Sequence, residues 1–312
     1  MKAGVFGDTH LTSRGPSRRL DLYFDTQIEK INQGLDIFEA EECTHIFQVG
    51  DMFESPDISN HVISTLITLL RKREVKIYCC YGQHDISGHS ASTLKRSPLK
   101  VLESAGVVKI LSEEPIELHG WYSSSTDKRY VNVYGASFGE PVPEVNPDDP
   151  YNILVTHRMI GDKSLYPGQE LIGPRKFLRD YPGYNLVLCG DYHYRFSDTY
   201  NGRTIVNPGC LMRKTISKFD ITHRPAVVTF DVLSNELKVH ELNVKPVNEV
   251  FDLTKVEERD NKKLLQFIES LKSSDKSTID WQRNLLEILK KRQCNQNVCD
   301  LIDKALSKVR DI

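Results

Sequence analysis

Five short apolar runs in the first two-thirds of the chain each end in an aspartate or a histidine, and this recurrence constrains the fold more than any other feature. VFGDTH closes the first run, FQVGDMF the second, YCCYGQHD the third, LVTHR the next and VLCGDYHY the one after. The runs are rich in Val, Ile and Tyr and bounded by turn residues, which predicts strands at residues 2–6, 45–49, 76–81, 131–135, 152–156, 186–189, 204–206 and 226–232. In open α/β sheets ligands bind outside the carboxyl ends of strands. The five loops are therefore predicted to converge on one crevice.

Amphipathic stretches separate the strands. Phe24, Ile28, Ile31, Leu35 and Phe38 recur at four- and three-residue steps, and Val62, Ile63, Leu66, Leu69 and Leu70 do the same after Ser59, a predicted N-cap. A third helix is punctuated by Ser97 as cap, Pro98 at its first position and Gly106 just past its end. Helices interleaved with buried strands predict a layered α/β core. The stretch GEPVPEVNPDDP at 139–150 reads as a surface loop. The character changes after Leu242. Residues 244–254 look extended, a small cap or linker, and from Asn261 only helical patterns follow, carried by Leu264, Ile268 and Leu271, by Leu285 and Leu289, and by Val298, Ile302 and Val309. The expected division is a core at 1–243 and a cap with a helical arm at 244–312. That arm either packs as a bundle on the core or docks its apolar stripe into a partner.

Composition narrows the class further. With 39% hydrophobic residues the chain can bury a sizeable core, and a net charge of −2 gives no global signal for nucleic-acid binding, so a polyanion would need a local basic patch. Seven cysteines without a CxxC pair are expected to be structural, in a reducing, cytoplasmic compartment. The chain starts straight into a strand-like run, and no stretch approaches the roughly 18 apolar residues of a membrane span, so no membrane partner is expected.

The strand-end residues suit metal. Asp8, His10, Asp51, Gln83, His157, Asp191 and His193 offer oxygen and imidazole nitrogen but no thiolate, a donor set for manganese, iron, zinc or magnesium. They exceed what one ion needs, and fit two ions that share a carboxylate. Asp8/His10 and Asp191/His193 repeat an Asp-x-His spacing that puts both side chains on one side of an extended segment.

GDTH, GDMF, GQHD, TH and GDYH, in this order, resemble the calcineurin-like metallophosphoesterase signature GDxH, GD, GNH(D/E), H, GHxH, and NPGCLMR is similar to the family's NPGS segment. The resemblance spans residues 2–211 and implies a four-layer αββα sandwich, here with a C-terminal helical extension. It implies that Asp8, His10 and His193 hold one metal, that Asp51 bridges, and that Gln83, His157 and Asp191 hold the second. His84 would be the catalytic histidine that protonates the leaving oxygen or stabilises the transition state, and Asp85 would orient it. The short intervals, RLDLYFDTQIEKI after the first motif and the helical C-terminus are similar to SbcD-type DNA-repair nucleases, especially their phage recombination relatives. This implies an exo- or endonuclease acting in DNA repair or recombination with an SMC-like ATPase subunit, and allows a homodimer.

Two positions depart from the family pattern. Gln83 replaces its asparagine and Asp191 the first histidine of GHxH, both at the second metal. Three carboxylates and an amide then face the ions, which favours manganese, with magnesium as the alternative. Two other readings stay open: a phosphodiesterase or phosphatase for a substrate other than DNA, and a non-catalytic interaction module that keeps the fold. His45, His61, His89, His119, His223 and His240 belong to no motif and are expected to bond locally. Arg14 and Arg158 are candidate DNA contacts, within a set of basic residues that includes Arg18, Arg19, Lys163, Arg195, Arg213 and Lys214.

Overall fold

The computed structural model describes residues 1–121, 129–145, 151–165, 169 and 171–253. One compact unit comprises Met1–Asp162 and Leu171–Phe251, and a second comprises Lys163–Glu170 and Asp252–Ile312. The helical arm expected after Thr254 lies outside the described residues.

In chain order the elements are β1 (Lys2–Phe6), α1 (Tyr23–Ala40), β2 (His45–Gln48), α2 (Asn60–Lys72), β3 (Ile77–Cys79), α3 (Pro98–Ser104), β4 (Val108–Ile110), β5 (Ile116–Trp121), β6 (Arg129–Ala136), β7 (Asn152–His157), α4 (Pro174–Asp180), β8 (Leu186–Gly190), β9 (Phe196–Tyr200), β10 (Arg203–Asn207), α5 (Lys218–Thr222), β11 (Ala226–Asp231), β12 (Glu236–Glu241) and α6 (Val247–Val250). They form two six-stranded sheets, β12-β11-β1-β2-β3-β4 and β5-β6-β7-β8-β10-β9.

The two-residue period of the strands builds the layers. In β2, Ile46 joins the core under the helices and Phe47 the core between the sheets; in β8, Leu186 and Leu188 face the other sheet while Val187 and Cys189 face α4. The outer core of the first sheet takes Ile31, Leu35 and Phe38 from α1, Val62, Leu66 and Leu70 from α2, and Leu99 and Leu102 from α3. Phe177 and Leu178 of α4 cover the outer face of the second. The result is the four-layer αββα sandwich. Each such buried side chain contributes about 1.5–3 kcal/mol.

The punctuation of α3 is realised: the Ser97 side chain accepts from the Lys100 amide, Pro98 opens the helix, and Gly106 follows its end at φ +78°. Four strands went unread in the sequence. β4 has only three residues, and β9 and β12 are largely exposed edge strands without an apolar stripe. β5 pairs with β6 across a register shift at His119 and Trp121. Residues 244–254 contain the short helix α6, where an extended segment was expected. The Leu20 amide donates to the Val250 carbonyl at 3.0 Å, so this unit runs past the expected boundary at Asn243 to Phe251.

β1, β2 and β3 are mutually parallel, as are β6, β7 and β8. The carboxyl ends of β1, β2, β3, β7 and β8 deliver the motif loops.

Candidate metal centre

The seven side chains proposed from the sequence are linked, each to the next, at 4.0 Å or less. Gln83 Nε2 donates to Asp191 Oδ1 at 2.9 Å, and Asp191 Oδ1 lies 4.0 Å from His157 Nε2. His157 Nε2 is 3.3 Å from Asp51 Oδ2, which is 3.8 Å from His10 Nε2. His10 Nε2 meets His193 Nε2 at 3.2 Å, and His193 Nε2 lies 3.5 Å from Asp8 Oδ2. The cluster opens to solvent at His193, 36% exposed, whereas Asp8, Asp51 and His157 are buried.

The backbone holds these loops in constrained conformations. His10, Asp51 and Asp191 have positive φ, at 46°, 50° and 75°, so the two Asp-x-His pairs are not the extended segments the spacing predicted. Left-handed residues other than glycine each cost about 1–2 kcal/mol and persist where neighbouring contacts fix them. Here the His10 amide donates to the Asp51 carbonyl at 2.9 Å, Leu211 to the Asp8 carbonyl at 2.8 Å, and the Asp191 amide to Asp8 Oδ2 at 3.1 Å. Two glycines make room. A Cβ at Gly82 would stand 2.0 Å from Asp51 Oδ1, and one at Gly50 (φ +101°) would stand 2.4 Å from the His157 ring.

The donor chemistry fits metal. Asp8 Oδ1, Asp51 Oδ2, Gln83 Oε1 and His157 Nε2 are buried and have no hydrogen-bond partner, in a protein where such atoms are normally paired. His157 Nδ1 meets the Val49 carbonyl at 2.7 Å, which fixes that nitrogen as the donor and presents Nε2 to the cluster. Without a cation the centre is electrostatically unbalanced. Burial pushes the Asp8 carboxyl well above its usual range. Burial also disfavours a charged His157, yet Asp51 and Asp8 outweigh it and push the imidazole up to about 10. A divalent ion on Nε2 would take the place of that proton.

His84 stands beside this cluster, its ring edge-on to His10 at 4.9 Å between centroids. Its amide donates to Asp51 Oδ1 at 2.9 Å, and its Nδ1 lies 2.8 Å from the Glu54 carbonyl. That carbonyl, not Asp85, orients the ring, which corrects the role expected for Asp85. The Asp85 carboxylate is fully buried and accepts from the backbone amides of Phe53 at 2.9 Å, Gly82 at 2.9 Å and Met52 at 3.3 Å. It ties the second motif loop to the third. Asp85→Ala would strand three buried N–H groups at about 1–3 kcal/mol each. The expected result is a melting temperature lowered by about 6 °C or more, about 1 kcal/mol being worth roughly 2–4 °C in a domain this size. An unchanged melting curve with lost activity would return Asp85 to the chemistry.

Glu54 was not anticipated. Its Oε2 lies 3.1 Å from His10 Nδ1, out of line for a hydrogen bond, and accepts from Lys214 Nζ at 2.6 Å. Burial raises its carboxyl, but His10 and Lys214 outweigh that and hold it at about 2. His10, Glu54 and His84 form a second group with metal-ligand spacing beside Asp8, His10 and His193. The only signal in the sequence was an acid three residues after Asp51.

The remaining sequence candidates fall outside the cluster. Arg14 is exposed on its loop, and the Arg158 guanidinium donates to the Glu140 carbonyl at 2.6 Å. His45, His61, His89, His223 and His240 contact Thr44, Phe24, Phe138, Cys210 and Thr229 respectively. The His119 side chain is outside the described ones.

The sequence matches the calcineurin-like phosphoesterase superfamily domain over residues 1–232, and the chain belongs to that family. It is a metallophosphoesterase of a family that typically carries two metal ions. Among solved structures it is similar to an archaeal phosphodiesterase (16% identity, 78% of this chain and 100% of that one, TM-score 0.40). It is also similar to a dimetal phosphatase from Danio rerio (10%, 77% and 95%, 0.46) and a 5'-nucleotidase precursor from Thermus thermophilus (11%, 88% and 59%, 0.40). Comparison with curated proteins gives no match. No helix among the described residues is long and apolar enough to cross a membrane.

Proposed function

We propose that this centre holds two divalent metal ions and hydrolyses phosphodiester bonds in DNA. Asp8, His10 and His193 take one ion, Gln83, His157 and Asp191 the other, and Asp51 is shared. The observation that carries this reading is the convergence of four buried, unpartnered donor atoms, on Asp8, Asp51, Gln83 and His157. When bound, the ions supply Lewis-acid stabilisation of the phosphoryl oxygens and acidify water near neutral pH.

The chain's own groups do the rest. The Glu54 carbonyl fixes the proton of His84 on Nδ1, which leaves Nε2 to exchange a proton with the leaving oxygen. Lys214 holds the Glu54 carboxylate at 2.6 Å, and this keeps both contacts of Glu54 in place. The hard oxygen donors at the second position favour manganese, with magnesium next. DNA as substrate, a role in repair or recombination, and an SMC-like ATPase partner are supported by the sequence similarity to SbcD-type nucleases.

Assays on linear and nicked DNA, with manganese and without, test this reading. Manganese-dependent cleavage of DNA is the expected result. Hydrolysis of a generic aryl phosphodiester with none of DNA would assign the centre to a smaller substrate. Inactivity on both with every divalent ion tried would overturn the reading and favour a non-catalytic module.

A further inference from the structure

A second polar site lies on the other side of the Arg213–Lys214 segment. Lys214 reaches Glu54 in the metal centre, but Arg213 turns into a recess that it lines with Arg19, Lys30, Lys245, Glu29 and Asn243. Lys30 and Arg213 are 5% and 6% exposed, and the Arg19 side chain is 3% exposed. Of these three buried cations only Arg19 is ion-paired among the described residues. Arg19 is paired with Asp21 by two bonds, Nε to Oδ1 at 2.8 Å and Nη2 to Oδ2 at 2.6 Å. Its third contact, Nη1, goes to the Arg213 carbonyl at 2.7 Å, and its guanidinium covers the rings of Tyr23 and Phe251.

Arg213 donates to the Lys245 carbonyl at 2.6 Å and meets no carboxylate within ion-pair distance among the described residues. Lys30 has neither a hydrogen bond nor an ion pair among them. Glu29, the acid at the rim, is exposed, and its carboxylate accepts from Gln33 at 3.0 Å. Burial lowers the Lys30 amine to about 8 despite Glu29, and the charges of Arg213 and Arg19 add to that. A buried charge without a partner is strongly unfavourable, and basic donors converging from several elements suit an anion that carries oxygens in several directions.

We infer that this recess is a binding site for a phosphate-type oxyanion, with Lys30 and Arg213 as its principal ligands and Lys245 at its mouth. The shared chemistry admits two sources, a free oxyanion or one phosphate of a nucleic-acid backbone. The site is independent of the metal centre and of the reaction proposed there.

The test uses the full chain and sulfate as the probe, because sulfate competes weakly for divalent metal sites. Titration calorimetry at constant ionic strength, with chloride as the control, compares wild type with Lys30→Met and Lys30→Gln. Sulfate is expected to bind wild type, and both variants are expected to weaken that binding tenfold or more. In chloride neither variant should melt below wild type, because each removes an uncompensated charge. The same loss is expected in a chain that carries Asp51→Ala, which separates the recess from the metal centre. Binding of a single-stranded oligonucleotide then assigns the source. A parallel loss with a shallower salt dependence assigns a backbone phosphate, and an unchanged oligonucleotide affinity assigns the free oxyanion. Wild type that ignores sulfate, or variants that bind it as wild type does, would overturn the inference.

Discussion

Asp51→Ala is expected to abolish phosphoester hydrolysis and leave the chain folded. Asp51 Oδ2 lies 3.3 Å from His157 and 3.8 Å from His10, between the two proposed ion positions, so its loss removes the ligand both share. Lewis-acid help is worth several kcal/mol, and at 1.36 kcal/mol per tenfold this is a thousandfold or more in rate. Folding should survive for an electrostatic reason. The variant loses the attraction between Asp51 and His157 and the bond from the His84 amide to Asp51 Oδ1, and the relief of repulsion between Asp51 and the buried Asp8 offsets part of that loss. Circular dichroism and turnover on the same preparation check both halves. A variant that keeps a sizeable share of wild-type turnover would sink the shared-ligand assignment.

His84→Ser should leave metal content unchanged and lower turnover about 10²–10⁴-fold, the usual worth of a positioned general acid or base. The ring's Nδ1 is taken by the Glu54 carbonyl at 2.8 Å, so Nε2 is the only nitrogen free to serve a leaving group. A substrate with a very acidic leaving group needs no proton at departure. The defect should therefore shrink on an aryl phosphodiester and stay large on DNA or an alkyl ester. Metal lost with the histidine would make His84 a ligand, in line with its place in the group His10, Glu54 and His84.

The legible parts of this protein are those where local pattern and tertiary role coincide. β1, β2, β7 and β8 are buried on both faces, and β3 nearly so, so they read as continuous apolar runs, and the motif residues follow each run because the fold places its crevice at those ends. β9 (FSDTY) and β12 (ELKVHE) are edge strands defined by backbone pairing with β10 and β11, and no side-chain period marks them. The roles of Asp85 and Glu54 depend on which backbone groups the folded loops bring within reach, the amides of Met52 and Phe53 for one and the His84 ring for the other. Nothing in GQHD or GDMFE encodes that distance. Lys30 illustrates the same limit: a lysine on an amphipathic helix reads as part of its solvated face, and only the packing of α1 against the Arg213 segment buries it.

Metal stoichiometry tests the central claim most directly. Elemental analysis of the purified chain after reconstitution with manganese and removal of free ion should give two ions per wild-type chain, and one or none for Asp51→Ala. Two ions bound equally by both proteins, or fewer than one ion per wild-type chain, would contradict the binuclear centre.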